Sequence, residues 1–438
     1  MDGEDKQKEL LISWKEIADY LDCKVRSCQR WEKEAGLPVR RYSNSSKSRV
    51  FAYKEEISNW LENKTLNEKK NTAKYFYFLI PIIGFVLIFM AFIFPHSPAQ
   101  PHDFRIDGSD LVTLNQKNKE IWRYDTGIKG LNDEEYYRNH FQVKRLSKAI
   151  HYKKLPLIII RDIDNNGIKE VLFAQSPIDN NFGKHRLFCF NSKGKIIWEF
   201  NPGREIKFGK KQYSSEYKIT GIYVVDMFED NSPEIIVISY NIDMFPTQFS
   251  VLNNKGELLR EYWNSGRIID YYFYDLDNDQ KKEIILSGCN NEYGKGCLLV
   301  LDPDFISGGS PQTGYYKSTE LKQNIEKYYI LLPAIDFGAI SINRDPLGNI
   351  QIIDEKLISA TSMSGIYFEF DFNFKLKEIR FSDKFEILYN EAYQKGITKD
   401  KFSVKTMSEL KTKLFPEILY YNGKDWSSTP LSAKNKKN

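Results

Sequence analysis

Residues 157–174 read LIIIRDIDNNGIKEVLFA, and the same plan returns at 221–239 as GIYVVDMFEDNSPEIIVIS and at 271–288 as YYFYDLDNDQKKEIILSG. Each is an apolar run, an acidic loop and a second apolar run. Short runs rich in β-branched and aromatic residues, bounded by Asp, Asn and Gly, read as strands. A second unit alternates with the first. It appears as LVTLNQKNKEIWRYDTG from Leu111, LFCFNSKGKIIWEFNPG from Leu187 and FSVLNNKGELLREYWNSG from Phe249, with weaker copies CLLVLDPDF from Cys297 and IYFEFDFNFKLKEIRF from Ile366. These are hairpins that turn at Asn115, Asn191, Asn253, Asp302 and Asp371. Two hairpins per repeat give a four-stranded sheet, and sheets recurring roughly every 50–80 residues indicate a β-propeller. Residues 103–425 then form a large all-β propeller of about five to seven blades.

The acidic loops resemble the FG-GAP/VCBS repeats of integrin-α-like propellers, which place a calcium loop of the form D-x-D-x-D-G-x-x-D between two strands. The resemblance implies that Asp162, Asp164, Asn166 and Glu170, and again Asp275, Asp277, Asp279 and Glu283, stand at its positions 1, 3, 5 and 9. A structural Ca2+ that braces a blade is the cofactor it implies. Calcium takes six to eight oxygens, which alternate side chains of a tight loop bring to one point. The loop from Asp226 has Phe228 at position 3 and keeps only Asp226, Asp230 and Glu234, so it is a degenerate site. Neither of the two fuller loops is an EF-hand, because position 12 is Phe173 or Leu286 where that motif needs Glu. The plainer alternative is an acidic turn, which Asp and Asn favour without any ion. The phrases GKIIWEF and KEIWRYDTG are also similar to quinoprotein-like propellers, without the repeated tryptophan motif of the quinone enzymes.

Upstream, Tyr75–Phe94 reads YFYFLIPIIGFVLIFMAFIF, with no charged residue. About 20 apolar residues match the hydrocarbon core of a bilayer, so a single transmembrane helix is expected over 75–94. Lys64, Lys69, Lys70 and Lys74 precede it, and the first basic side chain after it is Arg105. By the positive-inside rule the N-terminus is cytoplasmic and the C-terminal domain extracytoplasmic, in the cell membrane. Residues 65–74 are then a basic juxtamembrane linker, 95–102 a second linker, and 426–438 a disordered tail.

The N-terminal stretch 10–64 has Ser13 as an N-cap with Glu16 closing a capping box, a helix bearing Ile17, Ala18 and Leu21, a turn at Asp22–Cys23, and a second helix over 25–34 ended by Gly36. Two short strands at 38–41 and 49–52 flank a wing, and a third helix covers 54–62. The segments WKEIADYLDCKVRSCQRWE, GLPVRR and FAYKEEISNWL, in that order, resemble the winged helix-turn-helix domains of the excisionase and MerR type, with Asp22–Cys23 in place of the usual turn glycine. The resemblance implies double-stranded DNA as partner and puts the second helix in the major groove. Lys24, Arg26, Ser27, Gln29 and Arg30 would then face the bases, with Arg40, Arg41, Lys47 and Arg49 on the wing holding phosphate. Charge agrees: nine basic residues against Glu32 and Glu34 give residues 23–54 a net charge of +7. A solvated basic face or a protein-docking surface is the competing reading.

The chain has 438 residues and a net charge of +4. The length calls for more than one core. Its five cysteines are too few for a disulfide scaffold, and Cys23 and Cys28 read as packing residues. Cys289 and Cys297 bracket a hairpin tip and either bridge or stay reduced. Five histidines, none at metal-binding spacing, and the lack of a nucleophile–base pair or phosphate loop indicate no enzyme. The expectation is therefore a membrane-tethered DNA-binding regulator, acting as a homodimer, whose outer propeller senses a ligand or protein. The alternative is a membrane anchor whose helix-turn-helix docks a protein or the chromosome.

Overall fold

The computed structural model describes residues 9–42, 49–64, 99–138, 156–178, 185–322, 326–335 and 344–430. The chain divides into two compact units, residues 1–98 and 99–438. The expected span at 75–94, both of its flanking linkers up to residue 98, and Lys47 lie outside the described residues. Among the described residues no helix is long and apolar enough to cross a membrane.

In the first unit β1 (Leu10–Leu11) leads into α1 (Trp14–Tyr20) and α2 (Val25–Ala35). The strands β2 (Arg40–Arg41) and β3 (Val50–Tyr53) follow, and then a helix, α3, over residues 54–64. Ser13 caps α1, its hydroxyl accepting the Glu16 N–H at 3.2 Å. The Glu16 carboxylate returns to the N–H of Ile12, one residue before the cap. Gly36 ends α2 in the left-handed region (φ 64°), where a glycine costs nothing. The three strands pair in the order β1-β3-β2, so a two-residue strand too short to show a period joins the expected pair. Ile17, Ala18, Cys28, Leu37, Val50, Ala52 and Ile57 make the core.

The second unit is strand-built. Its first sheet is β4 (Asp103–Asp107), β5 (Asp110–Leu114) and β6 (Glu120–Asp125). The short α4 (Glu134–Arg138) follows, and then the second sheet, β7 (Ile158–Arg161), β8 (Glu170–Gln175), β9 (Arg186–Phe190) and β10 (Ile196–Phe200). A small hairpin, β11 (Ile206–Phe208) and β12 (Lys211–Tyr213), precedes the third sheet of β13 (Tyr217–Val225), β14 (Glu234–Asn241), β15 (Thr247–Leu252) and β16 (Leu258–Asn264). The fourth contains β17 (Ile268–Tyr274), β18 (Glu283–Asn290), β19 (Lys295–Leu301) and β20 (Tyr328–Leu332). The fifth contains β21 (Leu347–Ile353), β22 (Leu357–Ser362), β23 (Ile366–Asp371) and β24 (Leu376–Phe381). In each four-stranded sheet the strands lie in chain order, so the acidic unit and the hairpin unit together build one antiparallel meander.

Consecutive sheets pack face to face, which is why inner strands read as unbroken apolar runs. Along β14, Ile235 and Val237 join the core shared with the second sheet, whereas Ile236 and Ile238 join the core shared with the fourth. Along β19, Leu299 and Leu301 face the third sheet, and Leu298 and Val300 the fifth. Period-two alternation buries both faces. This order and packing make the unit a large all-β, propeller-like domain.

Two tryptophans bolt neighbouring sheets. Trp122 of β6 donates its indole N–H to the Ser192 carbonyl at 3.2 Å, in the β9–β10 turn, and Trp198 of β10 donates to the Asn254 carbonyl at 2.9 Å, in the β15–β16 turn. A Cβ at Gly194 or Gly256 would lie 2.7 or 2.5 Å from those rings, and both glycines have positive φ. At the matching place in β16 stands Arg260, and there the series stops.

Two features depart from the sequence reading, and one question that it left open is answered. Residues 383–394 and 404–414 are helices, α5 (Asp383–Gln394) and α6 (Val404–Leu414), capped by Ser382 and Ser403, with Phe385, Tyr389, Ala392 and Leu414 packed on the fifth sheet. The chain then returns as β25 (Leu419–Tyr421) and β26 (Trp426–Ser427) on the edge of the fourth sheet. Trp426 packs edge-on against Tyr293 and Tyr329 and at a tilt against Tyr421, so ordered structure continues past residue 425. Lastly, all five cysteines are free. Cys297 lies opposite Gly288 and Cys289 opposite Gly296, and this offset of one residue sends the two side chains to opposite faces of the sheet.

Candidate nucleic-acid interface and acidic loops

The core of the first unit fixes which face α2 shows. Cys28 is fully buried and Val25 and Trp31 pack beside it. Its thiol is pushed up to about 12 by burial and by Cys23, whose sulfur lies 3.2 Å away. The opposite face therefore carries Lys24, Arg26, Gln29 and Arg30, all exposed, with Ser27 half-buried. Arg30 has a distant pairing to Glu34 at 3.9 Å. Among the described residues Lys24, Arg26 and Gln29 have no ion-pair or side-chain hydrogen-bond partner. Lys24 is the N-cap, makes no capping bond, and the first turn holds no acid. Cations at a helix N-terminus oppose the dipole and leave the first N–H groups unsatisfied, a poor arrangement for stability and a good one for an anion.

The wing differs. Arg41 grips Glu32 of α2 in a two-pronged pair at 2.6 and 3.0 Å, and Arg40 pairs with Glu56 of α3 at 2.9 Å. Arg49 is exposed. The charge count in the sequence treats Glu32 as a general offset and leaves Glu56 out; folding turns both into specific partners for the wing.

In the second unit the three acidic loops share one frame. The position-1 carboxylate (Asp162, Asp226, Asp275) accepts the N–H groups of positions 5 and 6 in each. The position-9 glutamate (Glu170, Glu234, Glu283) accepts the N–H of position 2. The position-5 side chain (Asn166, Asp230, Asp279) accepts the N–H of position 7. Positions 4 and 6 have positive φ in all three. The loops also touch in series: the Asn165 amide bonds the Asn231 carbonyl, and Lys282 donates to the Asp226 carbonyl at 3.0 Å. The second loop keeps this frame without a carboxylate at position 3, so the frame itself needs no ion.

Two loops bring acids together. Carboxylate oxygens of Asp162, Asp164 and Glu170 converge within 4.8 Å, as do those of Asp275, Asp277 and Glu283. Asp279 is outside its cluster, its oxygen turned to Lys281 N–H. Glu170 is 4% exposed, and burial first, then Asp164 and Asp162, raise its pKa above the usual carboxylate value. Among the described residues no cationic side chain pairs with the first cluster. The third differs: the Lys327 ammonium lies 2.7 Å from Asp277 and 2.5 Å from Glu283. Burial lowers the Lys327 pKa, but those two bonds outweigh it and hold the lysine above its ordinary value. Sequence reading misses Lys327 because it reaches its loop across the long excursion of residues 302–327. The first cluster suits a hard divalent cation; the third already contains a positive charge.

One further buried acid is Asp345, 1% exposed at the start of the fifth sheet. It accepts the Ser364 N–H at 2.7 Å and the Ser364 hydroxyl at 2.6 Å, and burial pushes it up to about 6.

No protein-family model matches the chain, and no curated protein matches it. Among solved structures it is similar to BamB from Moraxella catarrhalis (12% identity, 64% of this chain and 62% of that one, TM-score 0.30). It is also similar to the Dos1 propeller (10% identity, 64% and 67%, TM-score 0.31) and to the V. cholerae biofilm matrix protein Bap1 (14% identity, 47% and 34%, TM-score 0.22). The chain thus spans less than two thirds of the BamB chain.

Proposed function

We propose that the protein is a membrane-tethered DNA-binding regulator. The first unit acts as a winged helix-turn-helix head in the cytoplasm, residues 75–94 cross the membrane, and the propeller-like unit meets a ligand or protein outside it. The observation that carries this reading is the outward face of α2, where Lys24, Arg26, Gln29 and Arg30 stand exposed over the first turns of a helix whose start has no side-chain capping bond and no acid. Arg and Gln on such a face can hold guanine and adenine edges in two-bonded pairs. A head this small makes few base contacts, so two heads on paired half-sites are needed and a homodimer is the working form. The reading assigns the propeller-like unit recognition rather than catalysis, and assigns the first acidic loop a structural Ca2+ held by Asp162, Asp164 and Glu170, with Asn166 shaping the loop.

The test is selection of genomic fragments by the detergent-solubilised chain, followed by a salt series on the fragments retained. Selective binding that weakens steeply with salt supports a regulator. Indifference to DNA at low salt would leave the second reading, a membrane anchor that docks a protein. The occupied wing favours that alternative to this extent: Arg40 and Arg41 are already engaged within the unit.

A further inference from the structure

We propose that Lys327 is the resident cation of the third acidic loop, so that this loop takes no divalent ion. The inference deepens the calcium reading of the first loop and rests on it for the contrast. The first and third loops share every backbone bond of the frame, the same two left-handed positions and the same trio of converging carboxylates. What differs is the chain that enters the fourth strand of the sheet, β10 in one case and β20 in the other. In the second sheet β9 turns directly into β10 through residues 191–195, and Lys195, just before β10, is exposed. In the fourth sheet the excursion of residues 302–327 replaces that turn. The Lys327 N–H then bonds the Val300 carbonyl at 2.8 Å, which fixes the lysine one residue before β20. From there its ammonium bridges Asp277 and the nearly sequestered Glu283, at 2% exposure.

An ammonium is one charge with three donors, where a calcium ion is two charges asking for at least six oxygens. With Asp277 and Glu283 bonded to Lys327 and Asp275 bonded to backbone N–H groups, all three carboxylates already have donors, and a divalent ion would have to expel the lysine to reach them. The second loop took another course, losing its position-3 carboxylate to Phe228. Three copies of one frame thus end in three states: an open acid cluster, a cluster lost by substitution, and a cluster closed by lysine.

The experiment is calcium titration by calorimetry on the full chain, wild type beside Asp164→Asn, Asp277→Asn, Lys327→Met and Lys327→Gln, with circular dichroism confirming fold. The wild type is expected to bind one ion. Asp164→Asn abolishes that binding, Asp277→Asn leaves it intact, and the Lys327 variants bind two. If the wild type binds none while the Lys327 variants bind one, the first-loop reading fails and the lysine assignment stands. A wild type whose binding falls with Asp277→Asn overturns the assignment. So do folded Lys327 variants that gain no site. The Asp277→Asn arm judges the proposal even if neither Lys327 variant folds.

Discussion

The outward face of α2 and the strand β2 contain similar cations in different circumstances. Arg40 and Arg41 are paired to Glu56 and Glu32, while Lys24 and Arg26 have no acid partner among the described residues. The first and third acidic loops repeat the distinction with the sign reversed, Lys327 closing one and no cationic side chain among the described residues closing the other. Residue type thus gives less than pairing does. A charge satisfied by its own chain is architecture, and a charge left unsatisfied at an energetic cost is a candidate for a partner.

The comparison breaks most visibly on DNA. Replacing Arg26 and Arg30 with Ala should cost about 2–6 kcal/mol in specific binding, at ~1–3 kcal/mol for each base-reading pair. Replacing Arg40 and Arg41 should cost less than about 1 kcal/mol, because each must leave an acid before it can meet phosphate. Gel-shift titrations of both double variants check this, and equal losses would erase the distinction.

Asp345 is an acid satisfied by hydrogen bonds alone. Its pKa is raised from 3.8 to about 6, so the native state keeps the proton longer than the unfolded chain. Stability is then greatest below 3.8 for this group, falls as pH rises from 3.8 through 6, and stays reduced above. The penalty is on the order of 3 kcal/mol at ~1.4 kcal/mol for each pH unit. Asp345→Asn should remove that slope, as denaturant melts at several pH values would reveal; an unchanged slope would remove Asp345 as its source.

The smallest effect separates the two loops by sign. Glu283→Gln leaves Lys327 with one acid and should destabilise by about 1–3 kcal/mol. Glu170→Gln keeps an acceptor for the Ile163 N–H and discharges a buried, repelled carboxylate, so without calcium it should stabilise slightly. With calcium it should forfeit the stabilisation the ion gives. Thermal melts with chelator and with calcium measure both. Losses of the same sign in both variants would mean that the loops do not differ.

Much of the architecture was legible in the chain. The apolar runs at 234–241 and 283–290 announced buried strands, and Asn115, Asn191, Asn253 and Asp371 each hold their turns by accepting N–H groups two and four residues on. What escaped was non-local or out of frame. Lys327 finds its acids across some fifty residues of sequence separation. The α5–α6 pair was hidden because a strand repeat was extended over residues whose Phe385, Tyr389 and Ala392 follow a helical period. The Cys289–Cys297 question turned on a single residue of register, which spacing does not give. Of the site residues, the face of α2 followed from the core pattern, whereas the pairing of Arg40 and Arg41 required the fold.

The most direct test of the regulator reading is the salt dependence of DNA binding by the full chain on a fragment it selects, compared with the Arg26→Ala, Arg30→Ala double variant. The account predicts tight binding at low salt, with log affinity falling by about 0.9 for each phosphate neutralised per decade of salt. It also predicts that the double variant loses its preference for the selected fragment while retaining weak, sequence-blind binding. A wild type that does not bind at low salt, or a double variant that selects the same fragment as well as the parent, would contradict it.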